Sequence, residues 1–264
     1  MADRKFKLND FYTNVCDEDS RLVKDKSSSI EFITTVNYID KYLKPNSRIL
    51  EVGAGTGRYS LYYAEKGYKV NAIEIVNHNV KIMKSNIKKD MDIKAEQGDA
   101  LDLSRFEDNT FDITLVLGPL YHLCNKEDQK RAINEAIRVT KPKGIIMFAY
   151  LTSDSMMVTW ALGPNLTNGL EKEFDAKFKK IYNEKDNIFA AFYIQEFENL
   201  MKQFNIKKLK DVATDGMSEH LASRINALTD EQFDIWVKYH LSTCERKDLQ
   251  GYSNHMLYIC KKSK

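Results

Sequence analysis

The chain has 264 residues, 43% of them apolar, and its 40 basic and 38 acidic side chains leave a formal net charge of only +2. That length and apolar fraction suit one α/β domain with a sizeable core, and the near-neutral balance lacks the basic excess of a dedicated nucleic-acid binder. Cys16, Cys124, Cys244 and Cys260 form no C-x-x-C pair and read as reduced thiols rather than a zinc or disulfide frame, and no uncharged apolar run is long enough to cross a bilayer, so a cytoplasmic protein without a metal site is expected.

Residues Asp3 to Lys26 are charged but carry Phe6, Phe11 and Tyr12, and show no clear strand or long helix. Ser27 to Ser29 form a cap cluster for a helix over about Ile30 to Leu43, where Ile30, Ile33, Val36 and Ile39 recur at helical spacing. A strand over Arg48 to Val52 runs into glycines at 53, 55 and 57, and an amphipathic helix follows to about Lys66, closed by Gly67. A second strand, Lys69 to Ile75, ends on Glu74 and leads to a helix over about Asn79 to Lys89. The third, about Ile93 to Gln97, opens into Gly98-Asp99-Ala100. Phe111 to Leu117 is an almost continuous apolar run of the kind a parallel sheet buries on both faces. Asn125 caps a helix to about Thr140, Pro142-Lys143-Gly144 turns the chain, and Ile145 to Leu151 forms a fifth strand. Strands alternating with helices imply a parallel sheet built by right-handed crossovers.

The alternation stops at Thr152. Leu170, Phe174, Phe178 and Tyr182 mark a helix around Gly169 to Tyr182, and a helix over about Ile194 to Phe204 precedes a strand from Ile206 to Val212. Asp215 to Leu228 reads as helical, Thr229-Asp230-Glu231-Gln232 is a capping box opening a helix to about Thr243, and Met256 to Cys260 is the last strand. The whole, 1–264, reads as a single domain with an N-terminal lid segment at 1–45 and helical insertions at about 152–190 and 213–250.

The glycine loop decides the ligand class. A dinucleotide fingerprint needs a glycine where Arg58 stands, and no Gly-Lys-Ser/Thr follows to make a P-loop. The pattern E-x-G-x-G-x-G over Glu51 to Gly57 instead resembles motif I of the class I S-adenosylmethionine (SAM) dependent methyltransferases. The resemblance implies a Rossmann-like seven-stranded mixed sheet of order 3-2-1-4-5-7-6 with the last strand antiparallel, SAM as cofactor and S-adenosylhomocysteine as product. It also implies roles. Gly53, Ala54, Gly55 and Gly57 would pass under the methionine half of SAM, and Glu51 would orient that turn. Glu74, 17 residues beyond Gly57, would accept the ribose hydroxyls, and Asp99 with Ala100 would meet adenine, with Asp102 close enough in sequence to compete for that role.

Leu117 to Leu123, LGPLYHL, stands where amino-methyltransferases carry Asn/Asp-Pro-Pro-Tyr/Phe, but Gly118 and Leu120 break that motif. The segment is similar to one in a bacterial subgroup of the family mostly acting on small molecules, and EDSRL at 18–22, IEFITTVNYI at 30–39 and GYSNHMLYICKK at 251–262 extend the likeness. By that likeness Leu117 lies on the cofactor, and Tyr121 and His122 face the sulfonium and the substrate. A core aromatic and a backbone-satisfied histidine is the competing reading. Tyr12, His220 and His255 are the further base candidates, and Arg21 meets either the SAM carboxylate or an acidic substrate, unless it pairs with Glu18 or Asp19.

Methyl transfer from an activated sulfonium needs alignment and water exclusion rather than a catalytic triad, and none is visible. Three functions remain open: methylation of a small molecule at O, N or C, methylation of RNA or protein, and SAM binding by a regulatory protein without catalysis. The charge balance and the broken Asn/Asp-Pro-Pro-Tyr motif favour the first, with neither nucleic acid nor membrane as an expected partner.

Overall fold

The computed structural model describes residues 2–161 and 188–263. Burial at consecutive positions fixes the central strands. Ile49, Leu50 and Val52 of β1 (Arg48–Val52) and Ile113, Leu115 and Val116 of β4 (Phe111–Val116) are each no more than 1% exposed, so both faces of these strands are covered. β2 (Lys69–Glu74) and β3 (Ile93–Gln97) extend the parallel sheet on one side of β1, and β5 (Thr140–Thr152) extends it beyond β4.

Past β5 the direction reverses. β8 (His255–Lys262) lies antiparallel between β5 and β7 (Ile206–Ala213), giving the order β3-β2-β1-β4-β5-β8-β7. This is the expected arrangement with one addition, the two-residue β6 (Ala191–Phe192), which pairs in parallel with Leu151 and Thr152 at the end of β5. The chain leaves β1 towards β2 on one side and the sheet continues through β4 on the other. A crevice therefore opens above the carboxyl ends of these two strands, where ligands of open α/β sheets bind.

Helices α2 (Lys26–Asp40), α3 (Arg58–Glu65), α4 (Asn77–Ser85) and α5 (Lys126–Val139) fall where the apolar spacing puts them, within a few residues. Asn125 caps α5 by accepting from the Asp128 amide at 2.8 Å, and the Thr229–Gln232 capping box opens the helix Asp230–Thr243. β5 starts at Thr140 rather than Ile145, so the expected turn at Pro142-Lys143-Gly144 is an irregularity within the strand, where its register against β4 shifts between Phe111 and Ile113. Two further stretches differ from expectation. A further helix, α1 (Ala2–Asn14), occupies the N-terminal segment, held by what it covers rather than by a strong apolar stripe. Between 215 and 228 only Ala222–Asn226 is helical, because Gly216 turns at φ 54° and its amide donates to Ser253 Oγ, tying this loop to the start of β8. The expected helix at Gly169 to Tyr182 lies outside the described residues. Among those described, no helix is long and apolar enough to cross a membrane, and Cys244 and Cys260 are buried.

Candidate active site

Gly53, Gly55 and Gly57 all take positive φ, 75°, 54° and 92°, a region that penalises any Cβ, yet their surroundings differ. The amides of Gly53 and Ala54 both donate to the Ile73 carbonyl, turning the chain over the end of β2. A Cβ on Gly53 would sit 2.5 Å from Pro119 Cδ, so this glycine lets the loops after β1 and β4 touch across the crevice. Gly57 is the left-handed N-cap of α3, and a Cβ there would meet Met83 at 2.5 Å. Gly55 turns its bare backbone to Glu18 and to a cleft of about 560 Å³. Gly53 and Gly55 line that cleft, whereas Ala54 packs into the apolar cluster of Ala72, Met83 and Ala95 and Leu117 into the core.

The strand-end carboxylates divide in the same way. Glu51 is buried beneath the loop, where it accepts from Ser60 Oγ in the first turn of α3; burial pushes it up to about 8, so it is a neutral acid at physiological pH. It holds the glycine turn onto the helix and does not line the cleft. Glu74 does line it, with Oε2 accepting from the Gly55 amide at 2.9 Å and Oε1 from Val76 at 2.8 Å. Burial raises its carboxyl to about 7 against the opposing pull of those two N–H groups. Asp99 and Ala100 form the far wall. Asp99 accepts from the Leu101 amide through Oδ1, while its Oδ2 is 2.6 Å from the Arg4 guanidinium and 3.5 Å from Lys5. Asp102 turns away to cap Ser104.

Helix α1 roofs this cleft through Arg4, Leu8 and Tyr12. At its far end Tyr12 Oη lies 2.8 Å from His122 Nε2, and His122 Nδ1 lies 2.8 Å from the Ile188 carbonyl. A carbonyl only accepts, so Nδ1 carries the ring proton and Nε2 accepts from the tyrosine. Burial lowers His122 to about 4 and drives the Tyr12 phenol well up, so both are neutral at physiological pH. Tyr121 also lines the cleft and donates to the Leu117 carbonyl at 3.0 Å. The sequence-derived trio of Tyr12, Tyr121 and His122 is thus brought together, with both nitrogens of His122 engaged.

Arg21 lies elsewhere. It pairs with Glu31 at 2.7 Å and with Glu18 at 3.3 Å and lines a second cavity, beside Glu31, Asp215 and His255. Those last three bring their donor atoms within 4.8 Å of one another, but the carboxylates are already met by the guanidinium and the imidazole. His220 Nε2 donates to the Tyr252 carbonyl at 2.8 Å, at the surface and away from both cavities. Sequence reasoning missed Arg4, Asn79, Glu31 and Asp215. Arg4 sits in a segment with no readable element, and the others are ordinary polar positions on helices and a loop until the fold gathers them.

A cleft above β1 and β4, floored by a glycine turn and flanked by acids at the ends of β2 and β3, defines the Rossmann-like class that binds SAM. Residues 50–148 match the family model described as "Methyltransferase domain". A demethylmenaquinone methyltransferase of Renibacterium salmoninarum is 38% identical over 106 residues, 40% of this chain and 41% of that protein. An S-adenosyl-L-methionine-dependent Diels-Alderase of Talaromyces variabilis is 33% identical over 107 residues, 39% of this chain and 35% of its own. The chain thus spans less than half the length of these curated relatives. The fold match is broader: a SAM-dependent methyltransferase structure from Methanosarcina mazei overlays with a TM-score of 0.56 at 18% identity, covering 86% of this chain and 97% of that one.

The cleft's chemistry fits SAM. Glu74 and Asp99 offer acceptors at two strand ends, Gly55 offers open backbone, and Asn79, only 2% exposed, adds an amide to the wall. Arg4 Nε is buried without a partner in this arrangement.

Proposed function

We propose that the protein transfers a methyl group from SAM to a small-molecule acceptor. The observation that carries this reading is the convergence of Gly55, Glu74 and Asp99 on one roofed cleft. When bound, SAM supplies an electrophilic methyl carbon on a positively charged sulfur. Glu74 holds the ribose hydroxyls, Asp99 and Ala100 the adenine, and the open backbone at Gly55 admits the methionine half. Helix α1, through Leu8 and Tyr12, excludes water, and the Tyr12–His122 hydrogen bond fixes the roof at the end of the helix away from Arg4. Orientation of this kind lowers barriers by roughly 7–11 kcal/mol, so no strong base is required of the neutral, doubly engaged His122.

The small-molecule reading rests on the near-neutral charge, on LGPLYHL in place of an amide-binding Asn/Asp-Pro-Pro-Tyr, and on relatives whose names describe small acceptors, such as demethylmenaquinone. The Diels-Alderase relative keeps a second outcome in view, SAM binding without methyl transfer. Incubation with methyl-labelled SAM and, separately, a small-molecule extract, total RNA and total protein separates the readings. Label in the small-molecule fraction alone is expected. Label confined to RNA or protein contradicts the proposed acceptor class, and SAM binding without any labelled product contradicts catalysis.

A further inference from the structure

The second cavity, about 670 Å³, lies at the same carboxyl-end edge of the sheet as the SAM cleft. It is walled by Arg21 and Glu31 on one side and by Asp215, Glu219 and His255 on the other. Two contacts tie it to the cleft. The Tyr121 ring, which lines the cleft, has its centroid 6.2 Å from that of His255, and Glu18, which also lines the cleft, pairs with Arg21. His255 opens β8 opposite Leu151, so it stands where β5 delivers its carboxyl end.

Within this cavity Asp215 and His255 form an oriented pair. Asp215 Oδ2 is 2.9 Å from His255 Nδ1, and both carboxylate oxygens also accept from the His255 amide, at 3.1 and 3.2 Å. Ser253 Oγ donates to Oδ1, which fixes the carboxylate further. With Nδ1–H committed to Asp215, Nε2 is the nitrogen that has no hydrogen-bond partner among the described residues. This is the arrangement by which a carboxylate sets a histidine tautomer for proton transfer.

We propose, on the reading that this is a SAM-dependent methyltransferase, that this cavity is the acceptor subsite, that it takes an acceptor bearing a protonated amine, and that His255, held by Asp215, removes the proton from that amine. The charge pattern selects the amine. Asp25, Glu31, Asp215 and Glu219 outnumber Arg21 and Lys24 along the walls, so the cavity favours an added positive charge. The imidazole reports the same field: burial alone would lower it, yet Glu31, 3.6 Å from Nδ1, and Asp215 push it up to about 9, with Arg21 opposing. In the empty cavity His255 is therefore an imidazolium. An ammonium entering among Glu31, Asp215 and Glu219 takes over that charge and expels the imidazolium proton to solvent, leaving Nε2 free. The ammonium then gives one proton to Nε2, the lone pair so exposed forms the N–C bond, and the C–S electron pair returns to sulfur, yielding the methylated ammonium ion, S-adenosylhomocysteine and one imidazolium.

The test uses the full chain saturated with S-adenosylhomocysteine, titrated calorimetrically at pH 7.5 with matched probes: 2-phenylethylamine, 2-phenylethanol and 3-phenylpropanoate, and ethanolamine, ethylene glycol and glycolate. Two buffers of different ionisation enthalpy count the protons released. At least one amine should bind tenfold or more tightly than its alcohol and carboxylate counterparts, releasing up to one proton. Glu31→Gln should weaken that amine at least tenfold with S-adenosylhomocysteine affinity unchanged within twofold. His255→Gln should abolish the proton release while amine binding persists, which a merely structural histidine would not do. An alcohol or carboxylate binding as tightly as its amine, no amine binding to the saturated protein, or undiminished proton release in His255→Gln overturns the proposal. Failure of S-adenosylhomocysteine itself to bind refutes instead the methyltransferase reading on which it rests.

Discussion

Glu74 carries the most information per residue. It accepts two backbone amides, one from the glycine loop and one from the turn into α4, so it couples the geometry of both loops to the ligand. Replacing it by Gln leaves a buried amide facing an NH₂ group, at a cost of about 1–3 kcal/mol, or roughly tenfold to a hundredfold in SAM affinity by calorimetry. Because its carboxyl titrates at about 7 and SAM carries a positive sulfonium, affinity should rise between pH 6 and 8 as the carboxylate forms. A flat profile in wild type, or the same rise in Glu74→Gln, would contradict this role. His122 makes the opposite kind of prediction. Its folded value, about 4, lies below the ordinary 6.5, so the unfolded chain binds the extra proton first and stability falls as pH drops from 6.5 to 4. The loss is on the order of 3 kcal/mol. Urea unfolding of wild type and His122→Gln at pH 4.5 and 7.5 measures it, and the variant should show the shallower pH dependence. Protonation states of this kind were illegible in the chain: Tyr121 and His122 could be named from LGPLYHL, but nothing in that string says that Ile188 and Tyr12 occupy both ring nitrogens.

At the scale of elements, the glycine turn and the roofing helix make separate predictions. Gly53→Ala must accept both a left-handed backbone and a 2.5 Å approach to Pro119, so the β1 and β4 loops have to part. SAM binding should fall below detection. Gly67→Ala is the control, with φ 84° but no atom within 4 Å of the new Cβ. It should cost only the roughly 1–2 kcal/mol of left-handed strain and leave SAM affinity untouched, read as a lowered Tm with an unchanged Kd. For α1, the Arg4–Asp99 pair ties the helix to the end of β3. Arg4→Ala should speed amide hydrogen exchange across residues 4–12 at least severalfold in the ligand-free protein; equal exchange would show that Leu8 and Tyr12 hold the helix alone. The strands were legible because each buried one carries consecutive apolar residues, and the caps at Asn125 and Thr229 because capping is local chemistry. Helix α1 was not, since Phe6 points to solvent at 72% exposure and only Leu8 of its face is deeply buried. The loop after β7 read as helix because its hydrogen bonds to Ser253 and His255 come from residues 37 to 40 positions away.

For the whole molecule, the sheet explains why one end holds both cavities. Parallel β1, β2, β4 and β5 deliver Gly53, Glu74, Gly118 and Leu151 to the same edge, and antiparallel β8 starts there with His255. The order of strands, and the placing of Glu51 to Gly57, Glu74 and Asp99 at strand ends, could be read from the chain, because a resemblance carried by short motifs at strand ends transfers position as well as residue type. The acceptor end could not. Arg21, Glu31, Asp215 and His255 come from three separated parts of the chain and meet only through the antiparallel close of the sheet. The function of the molecule turns on what the roofed cleft binds. Calorimetric titration of the intact protein with SAM, S-adenosylhomocysteine and NAD tests that most directly. The account predicts saturable one-to-one binding of SAM and S-adenosylhomocysteine, weakened at least tenfold by Glu74→Gln, and no binding of NAD. Binding of NAD, or of neither adenosyl ligand, would contradict it.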